Sequence, residues 1–317
     1  MSAAARLPLE ALAYQPVGLD QLVREAALLS RVDRKYLLPL EVAAEAMAGL
    51  DPRTRVLEID GRRDFAYDSV YFDTEDHLAY RLTAQRRRRR FKLRTRSYLD
   101  TGGCFLEVKT KNGRGATVKQ RVPYEPAHRD RLTGPGRDYA GEVLRGSGLG
   151  GVRLERLRPV LRSGYHRITM LLPEGSRATF DTRLHWESGS SDDVLDGVLG
   201  TARDRVRGNA PDRVRRLELS GHAIVETKPA GGASALDRAL WRLGHRPLGI
   251  SKFGTGLAAL HPELPRNKWA RVLRTFEAAA PTPISTITIP SEFCIRPEEY
   301  PDSLRPNAEL RPGAAAS

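Results

Sequence analysis

The sequence is short of the residues that mark several common kinds of chemistry. Cysteine occurs only at Cys104 and Cys294, far apart and outside any CxxC pair, which argues against a disulfide framework and a structural zinc site. The histidines show no HExxH spacing, and no GxxxxGK[ST] run is present, so a zinc-protease centre and a P-loop are both excluded. No apolar stretch approaches the ~20 residues that cross a bilayer. Residues 1–20 lack a basic segment followed by an apolar one, so no secretory signal is expected and a cytoplasmic location is. Trp186, Trp241 and Trp269 are too scattered to form a base-stacking platform. Lysine is scarce as well: only Lys35, Lys92, Lys109, Lys111, Lys119, Lys228, Lys252 and Lys268 occur among 52 basic residues, the rest being arginine. The two are not interchangeable, lysine being a compact point charge and arginine a planar fork.

What is abundant is positive charge. The 317 residues carry 52 Lys+Arg against 39 Asp+Glu, a formal net charge of +13. Residues 278–317 hold three of the basic and five of the acidic residues, so the body, 1–277, carries 49 − 34 = +15. That charge calls for a polyanionic partner. The same terminal stretch is rich in proline and has no periodic pattern. It reads as a disordered tail, with 286–289 as a short docking strand.

Apolar periodicity predicts helices over 18–29, 39–50, 74–84, 127–132 and 234–243, and a last one from 251 to 276 broken near 262–265. Between them lie strand-like runs at 31–38, 65–72, 90–98, 104–111, 117–123, 161–171, 177–182 and 217–228, with a turn signal at 112–115. Many strands with few long helices between them predict an antiparallel α+β fold. The residues 71–73 read as a strand end and helix cap.

Residues two apart along a strand share a face. Lys35 shares one with Asp33; Lys92 with Arg94 and Arg96; Glu107 with Lys109; Lys119 with Arg121; Tyr165 with Arg167; Arg177 with Thr179 and Asp181; and Glu226 with Lys228. A solvated outer face is the plain reading of any one such strand. Seven strands that all present Lys or Arg are harder to explain that way, since like charges facing across a ladder repel. A β-barrel with a charged lumen and a covering of helices accounts for the pattern, with a linear polyanion inside. Glu107 and Glu226 each precede a lysine on the same face. A groove for nucleic acid alone would avoid them, so nucleic acid is not the expected partner. Phosphates carried with Mn²⁺ or Mg²⁺ would use them as oxygen ligands, the alternative for each being an ion pair. The run at 86–90 reads as a solvated rim or an anion funnel.

The segments RVDRKYLL (31–38), VYFDT (70–74), RFKLR (90–94), LEVKTK (106–111), YHR (165–167), RATFD (177–181), VETK (225–228) and GISKF (249–253) resemble the VTC domain, over residues 19–260. This is the polyphosphate polymerase domain of the vacuolar transporter chaperone complex and its bacterial relatives, grouped with the triphosphate tunnel metalloenzymes. The resemblance implies an antiparallel β-barrel tunnel and transfer of the ATP γ-phosphate onto inorganic polyphosphate, with Mn²⁺ or Mg²⁺. It implies catalytic roles for Lys35, Arg94, Arg167, Arg177 and Lys252. Phosphate binding falls to Lys92, Lys109, Lys119, Arg121, Tyr165, Lys228 and Ser251, and metal binding to Glu226 and Glu107. ATP or another nucleoside triphosphate, polyphosphate, triphosphate and pyrophosphate are the implied ligands. A triphosphatase of the same fold and a non-catalytic polyanion-binding module are the alternatives.

Overall fold

Alternating buried and half-buried side chains build the strands of this protein, and the alternation fixes which face each strand turns inward. The computed structural model describes residues 3–26, 32–111, 117–188, 215–229 and 231–279. The predicted turn at 112–115, the tail and its docking strand, and Cys294 lie outside the described residues. In β5 (Arg90–Tyr98) every second residue from Phe91 is buried, while Arg90, Lys92, Arg94 and Arg96 are half-buried. The neighbours β4 (Asp64–Asp73), β6 (Cys104–Lys111) and β7 (Thr117–Pro123) pair antiparallel in the order β4-β5-β6-β7. On the other side of β4 follow β8 (Arg158–Leu171), β9 (Arg177–Ser188), β11 (His222–Lys228) and β2 (Arg34–Pro39), again antiparallel.

The remaining strands hang off this path. The hairpin strand β10 (Arg215–Leu219) pairs with β9. The three-residue strands β1 (Gln15–Val17) and β3 (Arg55–Leu57) pair parallel, and β3 also joins β8. The α+β class and the antiparallel sheet are as predicted. The hydrogen-bonded path itself does not close, since β2 and β7 stand at its ends among the described residues. The sheet is nonetheless curled, so that Lys35 of β2 comes within electrostatic reach of Lys92 of β5 and Lys109 of β6 across the concave side.

Helices cover the convex face. Tyr36, Leu38, Ile168, Met170, Phe180 and Val225 pack under α1 (Ala3–Leu12), α3 (Leu40–Ala48) and α6 (Ala235–Arg242). The residues Val70, Phe72, Phe91, Leu93, Leu106 and Val108 pack with α4 (Leu78–Ala84) and α5 (Gly134–Gly146). A short helix, α2 (Leu19–Glu25), adds Leu22 to a smaller cluster with Phe65 and Leu171. Asp73 is fully buried and accepts the Ala79 and Tyr80 amides, which caps α4 as the sequence suggests. In α6, Ser234 and Asp237 form a reciprocal capping box, and Asp237 also accepts the Tyr36 and Thr227 hydroxyls.

Three expectations need correction. Residues 127–132 do not form an α-helix: only a 3₁₀ turn, Pro126–His128, is present, because the segment is short and Leu132 alone of its side chains is buried, so no face docks to hold a longer helix. The run 217–228 is two strands, β10 and β11, divided by the turn at Ser220 and Gly221. The helices α1 and α5 were not expected at all. Among the described residues no helix is long and apolar enough to cross a membrane.

One helix is placed by close packing against indole rings. In α7 (Lys252–Leu260), a Cβ on Gly254 would fall 2.3 Å from the Trp269 ring, and one on Gly256 would fall 2.4 Å from Trp186. Both tryptophans are fully buried, and Trp186 donates to the Lys252 carbonyl at 2.9 Å. Trp269 leads into the last helix, α8 (Ala270–Ala279), whose Phe276 ring lies 5.4 Å from Trp186. Gly254→Ala should therefore lower stability by about 1–3 kcal/mol through overpacking, despite the better helix propensity of alanine. A thermal melt checks it; an unchanged or raised Tm would refute the close approach.

Candidate functional site

The concave face gathers the residues the sequence singles out. Lys92 in β5 stands opposite Lys109 in β6, which stands opposite Lys119 in β7, so three lysines form one row across three strands. One step along, Arg94 stands opposite Glu107, and Glu107 opposite Arg121. From the other half of the sheet, Arg167 of β8 is registered with Asp181 of β9, Glu226 of β11 with Lys35 of β2, and Lys228 with Arg177. The helix α7 links the halves. Ser251 caps it by accepting the Gly254 amide and receives a hydrogen bond from the Lys92 ammonium at 2.7 Å. Lys252, its first residue, reaches Asp181.

These charges are organised by three carboxylates, each bridging two cations. Asp181 accepts two bonds from Arg167, at 2.6 and 2.8 Å, and one from Lys252. Glu226 lies 2.8 Å from the Lys35 ammonium and 3.1 Å from that of Lys228. Glu107 accepts from Arg94 at 2.8 and 2.5 Å and lies 2.6 Å from the Lys119 ammonium. Each bridge carries one net positive charge. Among the described residues no ion pair is drawn for Lys92 or Lys109, so the site holds a large positive excess. Arg121 turns away from Glu107 and lies over the Phe105 ring, 4.7 Å from its centroid.

Burial and mutual repulsion leave their mark on the titrations. Burial pushes the Lys92 ammonium well down, and the charges of Lys109, Lys35, Lys268 and Arg94 push the same way. Lys109 and Lys252 are also lowered by burial, with partial relief from Asp33 and Asp181 respectively. Burial brings Lys228 and Lys119 to about 8, against the pull of Glu226 and Glu107. Burial alone would raise the carboxyls. Arg167 and Lys252 instead hold Asp181 down to about 2, and Lys228, Lys35 and Arg167 hold Glu226 well below its ordinary range. Lys92, on one half of the sheet, and Lys35, at its far edge, act on each other, which is what the curl of the sheet brings about.

Aromatic and hydroxyl groups complete the lining. Tyr67 and Tyr165 stack at 5.1 Å with nearly parallel rings. The Lys252 ammonium sits 4.1 Å from the Tyr165 ring centroid, and the Arg167 guanidinium 5.2 Å from it. The hydroxyls of Tyr165 and Thr179 are buried on this face without a hydrogen-bond partner among the described residues. An unpaired buried hydroxyl costs about 1–3 kcal/mol, so these two are donors awaiting an acceptor. Asp181, Tyr67, Thr179 and Arg96 were not among the predicted site residues. Arg96, Thr179 and Asp181 stand on faces that the alternation already identified, without a role assigned to them, whereas Tyr67 joins the site through its register with Tyr165 on the neighbouring strand. His166, which alternates out of phase with Tyr165 and Arg167, points away from them and meets Asp64 at 3.2 Å.

Among the described residues no group of three or more His, Cys, Asp or Glu side chains gathers to hold a metal by itself. The donor set fits a hard divalent ion brought in on phosphate oxygens, which needs only one or two protein carboxylates. Of the two predicted ligands both are buried and each bridges two cations, Glu226 keeping slightly more exposure, 8% against 2% for Glu107.

Residues 30–261 match the VTC domain, and the chain belongs to that family. A comparison with curated proteins finds no match. Among solved structures the chain is similar to an adenylyl cyclase candidate from Hippeastrum, described as revealing a dominant triphosphatase activity. The identity is 15% and the TM-score 0.40, covering 72% of this chain and 96% of that one. It is similar also to an adenylate cyclase candidate from Bacillus halodurans, at 12% identity and TM-score 0.36, covering 82% of this chain and 93% of that one.

The depressed lysines generate a pH dependence. Below about pH 8 both folded and unfolded chains keep Lys228 protonated, and the folded state bears the whole penalty of burying that charge. Between about pH 8 and 10 the folded lysine has released a proton that the unfolded chain still binds, so stability rises with pH. A polyanion seated on this face would restore the higher pKa and cancel the gain. In anion-free buffer the Tm should therefore climb over this window, while the stabilisation by added triphosphate shrinks. A Tm that falls through the same window would contradict the lysine burial.

Proposed function

We propose that this protein transfers the γ-phosphate of ATP to the end of an inorganic polyphosphate chain, with a divalent metal ion. The observation that supports it most is the inward positive excess: three carboxylates neutralise half of six cations, and Lys92 and Lys109 stand beside them without an ion pair among the described residues. Such a face suits a linear polyanion with a charge on every unit. The VTC family membership points the same way.

In the reaction, a terminal oxygen of the chain attacks the γ-phosphorus of ATP. The new P–O bond forms as the bond from the γ-phosphorus to the β–γ bridging oxygen breaks, and that oxygen leaves with its electron pair as ADP. The acceptor is already anionic, so no proton has to be removed. Catalysis is then alignment and charge stabilisation. Arg94 and Arg167 offer planar forks to nonbridging oxygens. Each is held in place by the carboxylate beneath it. Lys35, Lys228 and Lys252 supply compact charges, Ser251, Tyr165 and Thr179 supply hydroxyl donors, and Arg177, Lys109, Lys119 and Arg121 extend the basic lining. A divalent ion, held by Glu226 and the phosphates, would add charge neutralisation at the transferring group.

Hydrolysis of triphosphate would need water in place of the chain and a group to take its proton. Asp181, Glu107 and Glu226 are poor bases, each capped by two cations and held below the ordinary carboxylate range. That favours the anionic acceptor. Incubation with ATP and Mn²⁺ should give ADP and long-chain polyphosphate. Orthophosphate without chains would establish the triphosphatase instead, and no turnover by folded protein would leave a binding module.

Variants refine the test. Lys252→Ala and Arg94→Ala each strip one of two cations from a buried carboxylate, and breaking such a pair outright costs about 3–5 kcal/mol. The second cation remains in both, so the folded state should survive with a lowered Tm and turnover should be lost. Lys109→Gln removes a buried charge that has no ion-pair partner among the described residues, and should reduce turnover with the Tm held or raised. Full activity in Lys252→Ala would remove that residue from the site.

A further inference from the structure

The run at 86–90 is the most concentrated charge in the sequence, and the lumen does not account for it. Its last member, Arg90, continues the inward face of β5: it is half-buried in phase with Lys92, Arg94 and Arg96. Across the ladder it is registered with Lys111, one step beyond the Lys92–Lys109 row. That step is two residues, about 7 Å along the strand. Beside this pair, the Lys268 ammonium donates to the Thr83 carbonyl at 2.6 Å. The same carbonyl receives the Arg86 amide at 3.2 Å, so Lys268 and the Arg86 turn share one anchor. The members are not equivalent. Arg87 is turned to Gln85, at 3.1 Å, and Arg89 lies against Gly148.

Arg86 is also in an unfavourable backbone state. It follows α4 with φ +56°, and the Arg87 amide reaches back to the Leu82 carbonyl at 2.9 Å. This is the helix-ending turn in which glycine is the usual residue, because a Cβ is strained there. An arginine in that position sacrifices stability for its side chain.

We propose that the binding surface continues past the lumen, and that Arg90, Lys111, Lys268 and Arg86 form an outer subsite holding the part of a long inorganic polyphosphate chain that lies outside. This rests on the phosphate-chain reading of the lumen. Continuity of charge supports it. Lys268 is brought to about 8 by burial and by the charges of Arg90, Arg86 and Lys111. Lys268 in turn acts on Lys92 inside. A cationic line thus runs from Lys35 and Lys109 through Lys92 to the rim. A short ligand such as triphosphate would fill the lumen and never reach Arg86. A chain long enough to leave it would meet all four residues.

The test compares triphosphate with long-chain polyphosphate as binding probes, using the full chain and the variants Arg86→Gly and Arg90→Gln/Lys111→Gln. Arg86→Gly should raise the Tm, since it relieves the strained turn. It should leave triphosphate affinity unchanged and weaken long-chain binding by roughly fivefold. The slope of log affinity against log salt should fall by roughly one. The double variant should show a larger loss of the same kind. Long-chain affinity unchanged in both variants would overturn the subsite. So would an equal loss for triphosphate, which would make the rim part of the lumen site or a general steering field. Rim-dependent binding of single-stranded RNA, with none of polyphosphate, would overturn it in favour of another polymer. If the unaltered protein binds neither phosphate probe, the failure lies with the lumen reading itself.

Discussion

Repulsion between cations that face one another is the constraint around which this structure is arranged. An antiparallel sheet with a basic concave face cannot curl without bringing those charges together. Here the curl sets Lys35, at one edge, against Lys92 and Lys109 on the other half. The repulsion is relieved in two ways. Three buried carboxylates each bind two cations, and the lysines that remain are driven towards the neutral state. Neither device removes the charge altogether. The fold therefore keeps a buried concave face with an unneutralised positive excess, which is the feature behind the phosphate-chain proposal.

The carboxylates do more than neutralise. A bidentate contact to Asp181 fixes the plane of the Arg167 guanidinium, and the same carboxylate anchors Lys252 at the start of α7. That helix is positioned from behind by Trp186 and Trp269 pressing on its two glycines. Core packing and site geometry are thus one problem: the indoles set the helix, the helix sets Ser251 and Lys252, and those two meet β5 and β9 across the lumen. An isolated buried ion pair is weak support for stability. Here the pairs orient forks and ammonium groups that would otherwise splay apart.

The faces of the strands were legible in the sequence because side-chain period two is local physics. Lys92, Arg94, Glu107, Lys109, Arg167 and Glu226 could be assigned to one side from spacing alone, and the structure places them there. What local pattern cannot supply is pairing across the lumen. The sequence left Glu107 and Glu226 open between metal ligand and ion pair, and their six-cation network with Asp181 appears only once distant strands meet. Asp181 was on an identified face yet passed over, since nothing nearby in the sequence announces Arg167 and Lys252 as its partners. The helix α5 was missed because it opens on Gly134-Pro135-Gly136, which reads as a loop; Thr133 caps it by accepting the Gly136 amide, and Pro135 suits a first turn. The strands β1 and β3 are three residues long, too short for any period to register.

The scarcity of lysine takes on meaning from the same arrangement. Lys35, Lys92, Lys109, Lys119, Lys228 and Lys252 line the lumen, and Lys111 and Lys268 stand on the rim. An arginine lining would stay fully charged whether the lumen was filled or empty, because a guanidinium does not give up its proton near neutral pH. A lysine lining adjusts: burial lowers Lys92, Lys109, Lys119, Lys228 and Lys252 here, and an anion brought close to them would raise them again. Arg94 and Arg167 stand where a fixed fork bound to a carboxylate is of use, and Arg96, Arg121 and Arg177 add permanent charge around them. Carboxylates orient both kinds of cation, but only the ammonium groups can yield part of their charge to the crowding around them.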